Sequence, residues 1–319
     1  MRTFPGQNLE PMKTHLSPRQ LADAIGVSES SVKRWSDRGL IPTERTAGGH
    51  RRLPVGGVIQ FLRSSDLSLV QPEILGLPEA TAGEEAAGVE SVGDDAIGDV
   101  VAALVEGSEE KLRAAVFRRY VDGWTAAEVC DRALAPAFER LGERWQHGEL
   151  EVYEERRGVE VCRQVLHELR QAVAAPGDGA PRAVGGTLAG DWYNLPTAMI
   201  EIALREGGWQ AQSFGAGHPV ETLVAAIEEH RPRLFWLSVS HVGSADELAA
   251  GVAELHAAAE RHGTALVLGG RALGDTVRRR LRGSAFCDDL RQLQALAAAL
   301  EPAAARRAGT GEDDDGGAR

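Results

Sequence analysis

The stretch RTAGGHRRL, Arg45 to Leu53, gathers Arg45, His50, Arg51 and Arg52 around a glycine pair. The chain around it is acidic, with a formal net charge of −12 over 319 residues. That charge is unevenly spread. Residues 13–63 hold nine Lys/Arg against four Asp/Glu, a local excess of +5 that leaves −17 for the rest. A basic module on an acidic body is the usual footprint of localised polyanion binding. Gly48 and Gly49 permit a tight hairpin, and the flanking cations can then meet phosphates.

Upstream of this hairpin, LSPRQLADAIG (16–26) reads as a helix. Ser17 suits its N-cap and Pro18 its first position, with Leu21, Ala22 and Ile25 on one face and Gly26 as the stop. VSESSVKRWSDRGLIP (27–42) reads as a second helix, capped by Ser28, with Val32 and Trp35 turned inward and Gly39 and Pro42 ending it. Two short helices across a tight glycine turn form a helix-turn-helix. Ser28, Ser30, Ser31, Lys33 and Arg34 then lie at the exposed start of the second helix, where a recognition helix presents polar and basic groups to base edges. LPVGGVIQFLRSSD (53–66) reads as a short third helix, which gives a first domain over 14–65.

Residues 66–98 shift to Gly, Ala, Pro and Glu and read as a linker. Residues 99–176 carry helical periodicity nearly throughout, about four helices in a small bundle. From 181 to 302, strand-like runs (AVGGTLA, WQAQSFG, LFWLSVS, ALVLGG) alternate with helical stretches near 195–206, 219–230, 245–262 and 274–282. That alternation predicts a parallel α/β sheet. The acidic, glycine-rich segment 303–319 reads as a disordered tail. The three cysteines, Cys130, Cys162 and Cys287, are odd in number and widely spaced, so they imply neither a disulfide framework nor a zinc site. Cys130 and Cys162 read as small buried hydrophobes. No apolar run reaches membrane-spanning length and no signal pattern opens the chain, so a cytoplasmic protein without membrane contact is expected.

The head, LSPRQLADAIGVSESSVKRWSDRGLIPTERTAGGHRRL, resembles the winged helix-turn-helix of MerR-type transcription regulators. TAGGHRRL carries most of the likeness, with Leu53 where that family usually has Tyr. The resemblance implies double-stranded operator DNA as partner and a wing built from Arg45, His50, Arg51 and Arg52.

A helical bundle followed by an α/β domain after such a head resembles light-sensing regulators of the CarH/LitR type. The likeness implies a bundle capping the upper face of adenosylcobalamin and a Rossmann-like domain holding its lower face. In GDWYNLPTAM (190–199), Asp191 matches the acid of a D-x-H-x-x-G motif, with Trp192 between, Tyr193 at the histidine and Pro196 at the glycine. Ser238 and Ser240 resemble S-x-L with Ser for Leu, and Gly269 and Gly270 resemble the glycine pair over the nucleotide tail. On the bundle, WQHGELEVYEER (145–156) keeps Trp145 and Glu155 but has Gln146 and Arg156 at the two histidines. All three imidazoles that approach cobalt in that family are thus replaced, and a neutral phenol is a poor substitute at ordinary pH.

Three readings stay open at this point. Cobalamin binds more weakly, base-on or without a protein ligand; the pocket holds another tetrapyrrole, biliverdin or haem, with Arg156 on a propionate and Tyr193 on iron; or the scaffold is empty, and Trp192 and Tyr193 plug it. The expected function is a DNA-binding transcription regulator, photoreceptor-like in the first reading, acting as a homo-oligomer, dimer or tetramer. The enzyme alternative, a cobalamin methyltransferase or mutase subunit, needs the histidine that Tyr193 replaces. No nucleophile–base constellation is visible.

Overall fold

Ser17 starts the first helix by the means its sequence advertises. Its hydroxyl accepts the Gln20 N–H while the Gln20 side chain accepts the Ser17 N–H. The computed structural model describes residues 13–65, 67–77, 92–283 and 285–300. They form two units, dividing between Ala175 and Pro176.

In the first unit, β1 (His15–Leu16), α1 (Pro18–Ala24), α2 (Glu29–Asp37), β2 (Glu44–Arg45), β3 (Arg51–Pro54) and α3 (Val55–Arg63) make the head. Its three short strands run in the order β1-β3-β2, all antiparallel, with Arg45 opposite Arg51 and Glu44 opposite Arg52. Leu16, Leu21, Val32, Ile41, Leu53, Val58 and Ile59 form its core. Trp35 is only half-buried, its ring centroid 5.2 Å from that of Phe61.

The stretch 66–98, expected to be a linker throughout, is structured at both ends. A 3₁₀ turn over Pro72–Leu75 buries Leu75, and the Val70 and Gln71 N–H groups donate to Ala24 O. Leu67, Ile74 and Leu77 give that segment enough apolar surface to dock, although the stretch that follows it is rich in Gly, Ala and Glu. Helix α4 (Val92–Glu106) then begins six residues before the expected boundary at 98.

The bundle continues with α5 (Glu109–Val121), α6 (Ala126–Val129), α7 (Ala135–Gln146) and α8 (Val152–Ala172). Between α6 and α7 the helix does not stop but widens into a π-helical stretch over Cys130–Leu134, where the Ala135 N–H reaches back to Cys130 O. Pro136, having no N–H, removes a donor at that point. Cys130 and Cys162 are buried in the bundle core, as expected, and burial pushes the Cys162 thiol up to about 12. One guanidinium is buried too. Arg113 donates to Glu168 from Nε (2.6 Å) and Nη2 (2.9 Å) and to Glu109, and these carboxylates hold it charged although burial opposes that.

The head packs on this bundle through α3. A Cβ on Gly56 would fall 2.5 Å from Gln171 O, so only glycine permits the approach. Gln60 Nε2 donates to Tyr120 Oη (2.9 Å) and Ala172 O (3.0 Å), and Arg63 Nη1 donates to Tyr120 O and Trp124 O.

The second unit is a five-stranded parallel sheet, β4 (Arg182–Gly186), β5 (Gln210–Ser213), β6 (Leu234–Ser238), β7 (Ala265–Gly269) and β8 (Ala285–Cys287), in the order β5-β4-β6-β7-β8. Helices α9 (Leu195–Glu206), α10 (Val220–His230), α11 (Ala245–His262), α12 (Asp275–Arg278) and α13 (Leu290–Leu300) connect or follow the strands. Strand β8 and helix α13 were not foreseen, and the helix expected over 274–282 is a single turn. Phe235, Leu237 and Val239 face one layer, with Leu223, Ile227, Val252 and Leu255 of α10 and α11. Trp236 and Ser238 alternate onto the other face, where Trp236 meets α9. The chain order reverses between β4 and β6, and a doubly wound sheet takes ligands at the carboxyl ends of the strands at such a point. The segment 303–319 lies outside the described residues.

Candidate functional site

Two surfaces carry the chemistry, one in each unit plus a smaller patch on the bundle. In the head, Ser28 caps α2 by accepting the Ser31 N–H, and its hydroxyl contacts those of Ser30 (2.9 Å) and Ser31 (3.0 Å). Lys33 pairs with Glu29 at 2.8 Å on the open surface, where such a pair contributes little. The hydrogen bond and charge of Lys33 hold the Glu29 carboxyl below its usual range. Arg34 is exposed on the next turn. The wing tip closes through Thr46, whose N–H donates to His50 O and whose carbonyl accepts the Gly49 N–H, with Gly49 at φ +77°.

Arg45, His50 and Arg52 are exposed on this ridge. Arg51 is not free in the same way. Its Nη2 lies 2.5 Å from Asp37 Oδ1, at the end of α2, so it ties the wing to the recognition helix. The sequence places all four cations where they can meet phosphates; the pairing gives Arg51 a structural partner as well, for which Asp37 on its own offers no signal.

On the bundle, Trp145 is half-exposed at the end of α7, and Gln146 is exposed beside it. Val152 and Tyr153, at the start of α8, are also exposed, an apolar pair the sequence reading passed over. Glu155 is half-buried, and Arg156 Nε lies 3.5 Å from it with its own side chain in solvent. Arg156 was expected to be available to a propionate; its neighbour already supplies a weak carboxylate partner. His147, one position past Gln146, turns its ring back onto Glu143 O at 2.7 Å.

On the sheet, Asp191 organises the rim. Its carboxylate is buried and accepts three backbone N–H groups: Tyr193 on Oδ1 (3.1 Å), Ser240 (2.6 Å) and His241 (3.1 Å) on Oδ2. Thr187 locks the same loop from below, donating to Asp191 O (2.5 Å) and accepting the Gly217 N–H (2.8 Å). One carboxylate thus fixes the loop after β4 against the loop after β6, across the switch point.

Trp192 and Tyr193 stand above it, 72% and 44% exposed. They do not plug the crevice. Trp192 lies over Gly217, where a Cβ would come within 2.4 Å of the ring, and the Arg271 guanidinium sits 4.8 Å from the Tyr193 ring centroid. His218 is engaged with Phe214 O at 2.8 Å. The side chain that does fill space is Trp236. It is buried, donates its indole N–H to Thr197 Oγ1 (2.8 Å), and lies on Gly185, its register partner on β4, where a Cβ would be 2.2–2.4 Å from Trp236 atoms. Two residues along, Ser238 Oγ is buried and makes no hydrogen bond. Gly269 and Gly270 are required by the chain itself: a Cβ on Gly269 would be 2.9 Å from Cys287 O, and Gly270, at φ +122°, would meet Val239 O at 2.3 Å.

These donors test the fit of a corrinoid. The rim, with an exposed Trp and Tyr and a guanidinium, offers surfaces on which a flat polar macrocycle can rest, while the unpartnered Ser238 hydroxyl is buried. Among the described residues no group of three or more His, Cys, Asp or Glu is arranged to hold a metal ion. No helix of the described residues is long and apolar enough to cross a membrane.

Comparison with known proteins agrees with this division. Residues 17–52 match the MerR family regulatory protein model, and residues 97–170 and 181–299 each match a B12 binding domain model. The chain is 26% identical over 240 residues to the HTH-type transcriptional repressor CarA of Myxococcus xanthus, covering 72% of this chain and 78% of that one. It is 24% identical over 263 residues to the repressor CarH of the same organism, covering 79% and 87%. Among solved structures, the monomethylamine corrinoid protein of Methanosarcina barkeri shares the fold, with a TM-score of 0.56 and 14% identity over 65% of this chain and 99% of that one. The chain therefore joins a MerR-type helix-turn-helix to B12-binding domains and is homologous to the CarA and CarH repressors.

Proposed function

We propose that this chain is a cytoplasmic, non-enzymatic transcription regulator that binds operator DNA through its head and is controlled by a cobalamin-type ligand on its B12-binding domains. The observation that carries the reading is the seat of the head on the bundle. Gln60 and Arg63 of α3 are hydrogen-bonded to α5, its following turn and the end of α8. A ligand that alters the bundle therefore acts on an element of the DNA-binding head.

On the sheet, Trp192, Tyr193, Ser238, Ser240 and Arg271 are the residues that would hold the ligand, with Asp191, Gly269 and Gly270 shaping the loops around it; on the bundle, Trp145, Gln146, Glu155 and Arg156 form a separate candidate contact for it. When bound, a corrinoid would supply a light-sensitive cobalt–carbon bond; adenosylcobalamin is the form this reading favours. Regulation follows from differential affinity, the ligand favouring one assembly, dimer or tetramer, over another. A second reading, haem or biliverdin, draws on the Tyr193 ring under Arg271, a phenol and a cation suited to an anionic tetrapyrrole.

The test is to incubate the purified chain separately with adenosylcobalamin, biliverdin and haemin, desalt, and record visible spectra in the dark and after illumination. DNA binding by selection from a random duplex library is measured on the same samples. A retained corrinoid band with ligand-dependent DNA retardation is expected. Retention of haem or biliverdin instead selects the second reading, and DNA binding indifferent to every ligand overturns both.

A further inference from the structure

At the switch point the carboxyl end of the sheet is filled close beneath its rim. The clamped loops form that rim, and the unbonded Ser238 hydroxyl is buried at the end of β6. Immediately below, on the same face of β6, the Trp236 indole occupies the space between the sheet and α9. It is held there by a matched set: Gly185 supplies the room, since any side chain would collide with the ring, and Thr197 Oγ1 accepts the indole N–H while contacting Ser213 Oγ at 3.0 Å. Trp236 is 1% exposed. Removing it would leave a cavity, and a buried Trp is costly to truncate, about 3–5 kcal/mol for a change to Ala in general.

Cobalamin carries a nucleotide arm that ends in a benzimidazole, a bicyclic aromatic base of about the size of an indole. In the free molecule that base is a ligand of the cobalt. Releasing it needs two things from a protein: an imidazole to take its place and a pocket to take the base. The lower rim presents Tyr193 in place of an imidazole, and His218 is committed to a backbone carbonyl. His241 is exposed on the loop after β6; coordination by it would still leave the base without a pocket, because an indole already fills that space.

Resting on the corrinoid reading above, we propose that Trp236 closes the crevice, so that the sheet domain takes a corrinoid at its rim with the nucleotide arm unburied and its benzimidazole still on the cobalt. Trp236 is then the residue that sets ligand class: macrocycles are selected by what the rim touches, not by what hangs beneath them.

The experiment compares cobalamin with cobinamide, the same ring lacking the nucleotide base, on the full chain. Affinities are expected to agree within about threefold, since the arm is not buried. Electron paramagnetic resonance of the bound cobalt(II) cobalamin should show the nitrogen splitting of a coordinated benzimidazole, abolished by a benzimidazole-free corrinoid. Trp236→Gly combined with Tyr193→His, which supplies both the pocket and the imidazole, should shift bound cobalamin toward the base-released form and raise its preference over cobinamide about tenfold or more. Trp236→Phe, which keeps most of the volume, should behave like the parent. The wild-type spectrum decides the matter even if the double variant does not fold. A base-released spectrum, or a wild-type preference for cobalamin above about tenfold, overturns this inference and leaves the corrinoid reading standing. Retention of neither corrinoid overturns the corrinoid reading itself.

Discussion

The guanidinium of Arg63, at the last residue of α3, lies 4.0 Å from the centroid of the Tyr120 ring near the end of α5. Through Nη1 it also donates to the carbonyls of Tyr120 and Trp124. The last carbonyls of a helix lack intrahelical partners and carry the negative end of its dipole. A cation from the DNA-binding head therefore completes the C-terminus of a bundle helix. The two modules thus share a charge-assisted contact at the end of α5.

Arg63→Ala should therefore uncouple head and bundle without touching the DNA-facing residues. Loss of hydrogen bonds from a charged donor is expected to cost about 1.5–3 kcal/mol. In calorimetry the head should melt as a separate, earlier transition. The affinity for DNA in the absence of ligand should change little, while its response to ligand should fall. A single unchanged transition would mean the contact is incidental.

The wing offers a contrast within two adjacent residues. Arg52 is exposed, whereas Arg51 is 24% exposed and paired with Asp37. Arg52→Ala should weaken DNA binding almost equally across sequences and reduce the salt slope by about 1. Arg51→Ala should do less to the slope and more to the wing, lowering stability by up to about 1 kcal/mol for a partly exposed pair. Salt titrations of DNA retardation for both variants separate the roles. Equal slope changes would show that Asp37 releases Arg51 to phosphate.

Much of this was legible in the residues. Ser17, Pro18 and Gly26 announce α1 because capping is local chemistry, and Gly48–Gly49 announce the wing for the same reason. β6 and β7 show as apolar runs, and β5 (QAQS) only through its alternation and the flanking Trp209 and Phe214; β8 (AFC) is too short to stand out, and α13 follows it at the end of a sheet whose strand count the sequence does not reveal. Asp191 was recognisable by its motif, but not that its carboxylate would clamp two loops, since Ser240 and His241 lie 49 and 50 positions away. Trp236 sat inside LFWLSVS as one more apolar strand residue. Its meaning depends on Gly185 across the strand pair and Thr197 above, contacts between distant positions that no local pattern carries.

Cys162 gives a pH-dependent test of the bundle. Burial raises its thiol to about 12, against an ordinary value of 9.0. The folded state thus holds the proton more tightly than the unfolded chain does. Its contribution to stability is complete below pH 9 and is lost as pH rises toward 12, by roughly 1.4 kcal/mol per unit within that window. Cys162→Ala should flatten this slope in urea denaturation curves recorded between pH 8.5 and about 10.5. The native thiol should also resist alkylation at pH 8 until the protein unfolds. Prompt modification of Cys162 in the folded chain would contradict its burial.

The last prediction concerns the clamp at the switch point. Asp191→Ala strands the N–H groups of Tyr193, Ser240 and His241, and Ser240 is only 7% exposed. A buried donor left without an acceptor costs about 1–3 kcal/mol, and bonds to a charged acceptor run to the upper end. The sheet domain should therefore lose about 2–4 kcal/mol in Asp191→Ala. Asp191→Asn keeps one carbonyl oxygen and can serve Tyr193 or the Ser240–His241 pair, but not both, so it should fall between. Because the clamp spans the rim on which Tyr193 and Ser240 stand, ligand retention should decline in the same order, wild type above Asn above Ala. Should Asp191→Ala unfold at the wild-type urea midpoint, the carboxylate would not be what joins these loops.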